Sequence, residues 1–327
     1  MSDMIVLENL TKRFGDLTAV DAVSMQVARG EVLGFLGPNG AGKSTTMKMV
    51  CGYLTPTSGT ARVQGHDVMT EPMAVKAAIG YLPEGAPTYG DMTVRAFLRF
   101  IARIRGFDGA EVDRRVDRVR ELVDLDEVIG RPVETLSKGF KRRVGLAQSI
   151  LHDPEVLIMD EPTDGLDPNQ KHQVRSLIKD MAHDKAIVIS THILEEVGAV
   201  CSRAVVIAHG KLLADGTPED LLRRDAHHNA VVVRLAAAGA DDLIAGLSAL
   251  PQIAGVEPLT GDAANTQDGI VGFRARPRDG ASIVVPVGEY LRGLGVTPEE
   301  MYVEHGHMDE VFRAITLGGE TRAGTGA

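Results

Sequence analysis

The chain is expected to be an α/β protein, a parallel-sheet domain followed by a smaller α+β domain. Short β-branched runs alternate with helical stretches through the first two-thirds of its 327 residues, the pattern of strands joined by helical crossovers. A glycine-rich turn, Gly37 to Thr45, separates an apolar run from a helix, and at ~150 residues per domain the length calls for about two domains. With 44% hydrophobic residues, 4% aromatics and no Trp, the core is aliphatic.

Met4–Leu10 and Thr18–Val27 read as strands joined through a turn at Gly15-Asp16. Glu31–Gly37 is a buried strand, followed by a helix from about Lys43 and further strands at Thr60–Val63 and Ile79–Leu82. Between Met92 and Asp126 the pattern turns helical, because Val112, Val116, Val119 and Val123 share one helical face. Apolar runs return at Val156–Met159, Ala186–Ser190 and Ala204–Ala208, with a hairpin at His209-Gly210. The first domain is expected over 1–222, with a helical subdomain at about 88–152, and Arg223–Asn229 is a polar junction. An accessory α+β domain follows over 229–317, with strands at Ala230–Leu235, Ile270–Ala275 and Ser282–Val287 and helices at Ala240–Leu250, Gly288–Gly293 and Met308–Thr316. Residues 318–327 have no apolar face and read as disordered.

A net charge of −10 argues against a chain that works by coating nucleic acid or an anionic lipid surface. The imbalance is uneven: from His228 onward there are 7 Arg, no Lys and 13 acidic residues. Cys51 and Cys201 stand far apart, which suggests neither a disulfide framework nor a zinc site and fits a reducing cytoplasm. No apolar run approaches the roughly 18–20 residues of a membrane span, and MSDMIVLENL lacks the character of a signal peptide.

GPNGAGKST matches the phosphate-binding loop pattern in its strand-to-helix context. Gly37, Gly40 and Gly42 let successive N–H groups turn toward one concavity at a helix N-terminus, and Pro38, Asn39, Ala41 and Thr45 are the remaining cofactor-binding positions of the loop. Lys43 reaches the β/γ-phosphates as a point charge, and the Ser44 hydroxyl can ligate Mg²⁺. Further on, VLIMDE places Asp160 and Glu161 at the carboxyl end of an apolar strand, where ligands gather in parallel sheets. Asp160 would hold Mg²⁺ and Glu161 would polarise an attacking water as general base; the alternative is a pair of exposed strand-end carboxylates.

LSKGFKRR (Leu136 to Arg143) precedes that strand, which continues into Pro162-Thr163-Asp164-Gly165-Leu166-Asp167, with Ser190-Thr191-His192 later. This order resembles the ATP-binding subunit of an ABC transporter over about Met4–Leu222. The resemblance implies a P-loop NTPase cassette with a RecA-like parallel sheet core, an N-terminal antiparallel β subdomain and a helical subdomain, hydrolysing ATP with Mg²⁺. Phe14, in KRFG, matches the aromatic that stacks on adenine, with Val20 as its aliphatic companion; for Phe14 a packed core aromatic is the alternative. Ser137 and Gly139 match the signature residues that cap the γ-phosphate on the other subunit's loop. Asp167 matches the D-loop residue at the dimer interface, and His192 the switch histidine at the γ-phosphate. Glu84, after Gly80-Tyr81-Leu82-Pro83, stands where Gln is usual and can approach Mg²⁺. Lys138 and Phe140 replace the usual Gly and Gln, and Lys138 is expected to point to water, with a charge near the trans nucleotide as the alternative.

YLPE together with LSKG resembles ABC-2-type exporter ATPases of the gliding-motility-like subgroup. One set of half-sites implies an ATP-sandwich homodimer, and separate polytopic ABC-2-type permease subunits would place it peripherally on the cytoplasmic face of the inner or plasma membrane. Their helices would dock between the Glu84–Met92 loop and the helical insert, where Asp91-Met92-Thr93 is a candidate contact or simply a helix cap. No nucleic-acid partner is expected; the alternative is a soluble ABC-type ATPase acting on a ribosome or nucleic-acid complex. In the accessory domain, Glu304, His305 and His307 (EHGH) suggest a metal only if a further spaced ligand exists.

Overall fold

A computed structural model describes residues 3–86, 88–236, 240–259 and 270–323. The chain forms two compact units, Met1–Pro218 and Glu219–Ala327, dividing just ahead of the expected Leu222.

In the first unit, β1 (Asp3–Phe14) and β2 (Leu17–Ala28) pair antiparallel across the turn at Gly15-Asp16. The buried β3 (Val32–Leu36) leads through the glycine-rich loop into α1 (Lys43–Val50). With β4 (Ser58–Val63) and β5 (His66–Asp67), the first two strands make an antiparallel sheet of order β2-β1-β4-β5. After α2 (Pro72–Ala78) and β6 (Ile79–Leu82) come α3 (Val94–Ile104), α4 (Gly109–Leu122) and α5 (Lys138–Ile150). Then follow β7 (Val156–Asp160), α6 (Pro168–Ala182), β8 (Ala186–Thr191), α7 (Leu194–Val200), β9 (Arg203–Ala208) and β10 (Lys211–Gly216), and α8 (Pro218–Leu222) begins at the division between the units. The second sheet runs β10-β9-β3-β8-β7-β6, parallel except for β10, which returns through the His209-Gly210 hairpin.

Strand periodicity divides the core in two. Val156 and Ile158 of β7 pack with Leu33, Phe35 and Val188 toward the antiparallel sheet. Leu157 and Met159 pack with Phe97, Leu98, Val144 and Leu146 toward the helices. Val112, Val116 and Val119 are buried along α4 as their spacing predicts. Gly106, at φ 88°, supplies the left-handed turn that splits the expected helical stretch into α3 and α4. At Gly80 of β6 the helix α5 lies close against the sheet. A Cβ there would collide with the Ser149 carbonyl oxygen of α5 and lie 2.7 Å from Leu157.

The second unit comprises β11 (Ala230–Ala236), α9 (Ala240–Ser248), β12 (Ile253–Pro258), β13 (Ile270–Pro277), α10 (Val284–Gly293), β14 (Glu300–Glu304) and α11 (Met308–Ala323). Its antiparallel sheet has the order β12-β13-β11-β14, the split βαββαβ arrangement of ferredoxin-like folds. Val231, Val233 and Phe273 on one face pack with Leu247, Val287 and Leu291 of α9 and α10. Across the sheet, Arg234 pairs with Glu300 at 2.8 Å, Arg274 with Glu304 at 2.6 Å and Arg276 with Glu257 at 2.7 Å.

Three expectations for this unit are corrected. Ser282–Val287 is not a strand: helix begins at Val284, because Ile283, Val287 and Leu291, at helical spacing, bury together in the core, overriding the β preference of the valines. The edge strands β12 and β14 were not expected, since Gly255, Glu257, Glu300 and Glu304 interrupt their apolar pattern. Gly318–Ala323 continues α11, as extending a nucleated helix needs only one more bond per residue; the expected disorder of 324–327 lies outside the described residues.

Gly80→Ala should destabilise the protein by about 1–3 kcal/mol through overpacking, read as a lower urea midpoint at unchanged slope.

Candidate functional site

Parallel register aligns the carboxyl ends of three strands: Leu36 lies opposite Thr191 and Asp160 opposite Ser190. The loops leaving those ends enclose a cavity of about 260 Å³ lined by Asn39 to Thr45, Ala19, Glu84, Asp160 and Glu161. Gly42 has φ 106°, and a Cβ there would lie 2.5 Å from the Ala19 carbonyl, so the loop can pass beneath β2 only with glycine. Val20 is buried directly behind it. Gly37 and Pro38 form the base, where their carbonyls accept from Lys43 Nζ at 2.6 and 3.1 Å.

Lys43 is 7% exposed. Burial lowers the pKa of its ammonium, opposed by the nearby Glu161, Asp160 and Glu84 carboxylates. Asp160 is 2% exposed and accepts from the Ser190 hydroxyl. Glu161 stands beyond the strand end at φ 53°, a left-handed conformation that costs a residue with a Cβ roughly 1–3 kcal/mol. Its N–H donates to the Ser190 carbonyl and hydroxyl, each at 3.1 Å, and its carboxylate accepts from His192 Nδ1 at 2.9 Å. Burial raises the Glu161 pKa, with the His192 hydrogen bond and the Lys43 charge opposing it.

Phe14, Ser137, Gly139 and Asp167 do not line this cavity. Phe14 is 49% exposed at the end of β1, with Lys12 Nζ 5.0 Å from its ring centre, so it is not the packed core aromatic. The Ser137 hydroxyl caps α5, accepting from the Phe140 N–H at 3.3 Å, and Asp167 caps α6, accepting from the Gln170 N–H at 2.9 Å. Gly139 packs against Gln170 and Leu166. Lys138 does not simply point to water: its ammonium pairs with Asp164 at 2.8 Å and its stem lies over Gly165. That hydrogen bond holds the Asp164 carboxyl below its ordinary value.

Two buried groups at the site were missed. Arg142 of α5 donates to the Pro83 carbonyl at 2.9 Å and to the carbonyls of Asp160 and Glu161. Glu196 of α7 accepts from the Thr163 hydroxyl and from Thr191 Oγ1 at 3.1 Å, fastening the segment after Glu161 to the end of β8. The available signal was Arg142-Arg143 at positions of α5 that otherwise read as apolar, flanked by Val144, Leu146 and Ala147.

In the second unit the EHGH residues form no metal cluster with one another or with other described residues. Glu304 is paired with Arg274, and the His305 carbonyl accepts from His228 Nδ1 at 2.9 Å. Asp225, His227 and Glu310 do bring donor atoms within 4.8 Å of one another, but all are engaged. Asp225 accepts from the His227 and His307 amides, and His227 Nδ1 bonds Glu310 at 3.1 Å.

Residues 20–164 match the family model described as ABC transporter. The chain is 39% identical over 225 residues to the Escherichia coli protein named "Probable multidrug ABC transporter ATP-binding protein YbhF", covering 68% of this chain and 39% of that one. Thus it spans about two-fifths of that relative's length. It is 35% identical over 223 residues to Nod factor export ATP-binding protein I of Ralstonia nicotianae, covering 68% of this chain and 70% of the other. Among solved structures, CbiO1 of Clostridium perfringens, described as part of the ABC transporter complex CbiONQ, aligns with a TM-score of 0.62 at 27% identity, over 68% of this chain and 92% of that one.

A charge-assisted contact from the Lys43 ammonium to a phosphate would be worth about 1.5–3 kcal/mol. Lys43→Ala should therefore weaken binding of a fluorescent ATP analogue at least about tenfold in an equilibrium titration.

Proposed function

The chain belongs to the family of ABC transporter ATP-binding proteins, and we propose that it is the ATP-hydrolysing subunit of an ABC-2-type exporter. The observation that carries the hydrolytic reading is the partly buried Glu161 carboxylate, bonded to His192 at 2.9 Å at the rim of the cavity that holds Lys43, Ser44 and Asp160.

The loop amides from Gly40 to Thr45 bind the phosphates, and Lys43 exchanges its two carbonyl partners for phosphate oxygens. Ser44 and Asp160, with Glu84 at the same cavity, fit a small hard cation: a hydroxyl and two carboxylates of suitable chemistry face one space. Mg²⁺, when bound there, neutralises charge on the phosphates. Glu161 takes the proton of the attacking water at a carboxylate oxygen, and His192 fixes the direction of that carboxylate. Because the base must be ionised, kcat falls as pH drops through the raised pKa of Glu161.

Ser137, Gly139 and Asp167 lie outside the cavity of their own chain, which supports a sandwich in which a second copy supplies them to each nucleotide. Phe14, half exposed, is free to stack on adenine. A permease would dock at a separate groove of about 530 Å³, whose lining includes Tyr53, Met73, Ile101, Ile104 and Phe107. Tyr53, Met73 and Ile104 are exposed apolar groups. This groove lies between the α1–α2 region and α3, and Thr93 serves as the cap of α3.

Glu161→Gln should lower turnover at least about 100-fold while retaining ATP binding, as expected for loss of a general base, and should accumulate an ATP-bound dimer in size-exclusion chromatography. Undiminished steady-state turnover would remove the assignment. Tyr53→Asp with Ile104→Asp should abolish co-purification with a polytopic membrane protein and leave the isolated ATPase rate unchanged.

A further inference from the structure

Arg142 is 5% exposed and sits in the first half of α5, the helix capped by Ser137. Its guanidinium joins three segments. One nitrogen donates to the Pro83 carbonyl, immediately before Glu84, at 2.9 Å. The other donates to the carbonyls of Asp160 and Glu161. The Glu161 peptide is thereby held from both sides. Its N–H is bound by Ser190 of β8, and its carbonyl accepts from Arg142 and from the Asp164 amide at 3.1 Å.

This fixation bears on a residue that would otherwise relax. Glu161 occupies a left-handed backbone conformation, sustained only where surrounding bonds over-determine it. Released, the backbone would turn and carry the carboxylate away from His192. Lysine, with one compact ammonium, matches the charge but not the fork that reaches two separate strands.

We propose that Arg142 is a positioning residue for hydrolysis. It holds Glu161 in its working conformation and links that conformation to the Glu84 loop and the signature helix. The proposal rests on the hydrolytic reading above for its kinetic consequence, though not for its structural one.

The test uses the full chain with Arg142→Gln and Arg142→Lys. In nucleotide-free protein, hydrogen exchange at the Glu161 and Asp164 amides should accelerate at least about tenfold in Arg142→Gln, with β3 amides unchanged, as expected for local opening. In ATPase assays kcat should fall at least about tenfold while KM stays within about threefold, the signature of an interaction that acts in the transition state. Arg142→Lys should restore only part of kcat, because one ammonium cannot bridge both segments. Wild-type exchange at Glu161 and Asp164 in Arg142→Gln, or an unchanged kcat, overturns the proposal. So does uniform acceleration of exchange across the sheet, the mark of a merely structural role. A wild-type chain without ATPase activity would instead defeat the hydrolytic reading, and the exchange arm would still decide whether Arg142 holds Glu161.

Discussion

Pairing of Leu36 with Thr191 and of Asp160 with Ser190 across three adjacent parallel strands sets the positions of the groups on which the chemistry depends. The phosphate loop leaves the end of β3, the acids end β7, and His192 follows β8. None of these groups could reach the others if one strand slipped, because a shift of one residue sends a side chain to the opposite face. The register is secured by burial on both sides: every residue of β3, β7 and β8 is inaccessible. The precision of the site is therefore set by aliphatic packing well below it.

Charge is concentrated where that packing ends. Lys43, Arg142, Asp160 and most of Glu161 are withdrawn from water within a few residues of one another in space. Each would be costly alone. Together they are paired or hydrogen-bonded: Lys43 to two loop carbonyls, Asp160 to Ser190, Glu161 to His192, and Arg142 to three carbonyls. The arrangement leaves Lys43 exchangeable, since its partners are neutral carbonyls and a phosphate would be a stronger acceptor.

How much could be read from the sequence depended on how local the determining interactions are. GPNGAGKST specifies its own geometry through glycines and an adjoining helix, and DE after VLIM follows from an apolar run ending in acids. The helical face of Val112, Val116 and Val119 is likewise local. The partners of Arg142 lie 59, 18 and 19 positions away, and no spacing rule points to them. The second unit was harder for the same reason. Val284 and Val287 favour a strand until the burial of Leu291 one turn on decides for a helix, and β12 and β14 are edges whose identity comes from pairing with β13 and β11. Lys138 shows the limit of reading exposure as freedom, because its 71% exposed side chain still has Asp164 as partner.

The contact at Gly80 has a mechanical consequence. Because β6 admits no side chain where α5 crosses it, the helix is seated there, near Ser149, and any tilt of α5 against the sheet must pivot close to that point. At 1.5 Å per residue, Arg142 lies about 10 Å from the pivot and Ser137 about 18 Å. A tilt of about 10° would then carry Ser137 by about 3 Å and Arg142 by about 2 Å, on the same helix and with a fixed ratio. The Ser137 end of α5 is thus the long arm of a lever whose short arm grips the Glu161 carbonyl, so the helix cannot swing its tip without loading the bonds that hold Glu161.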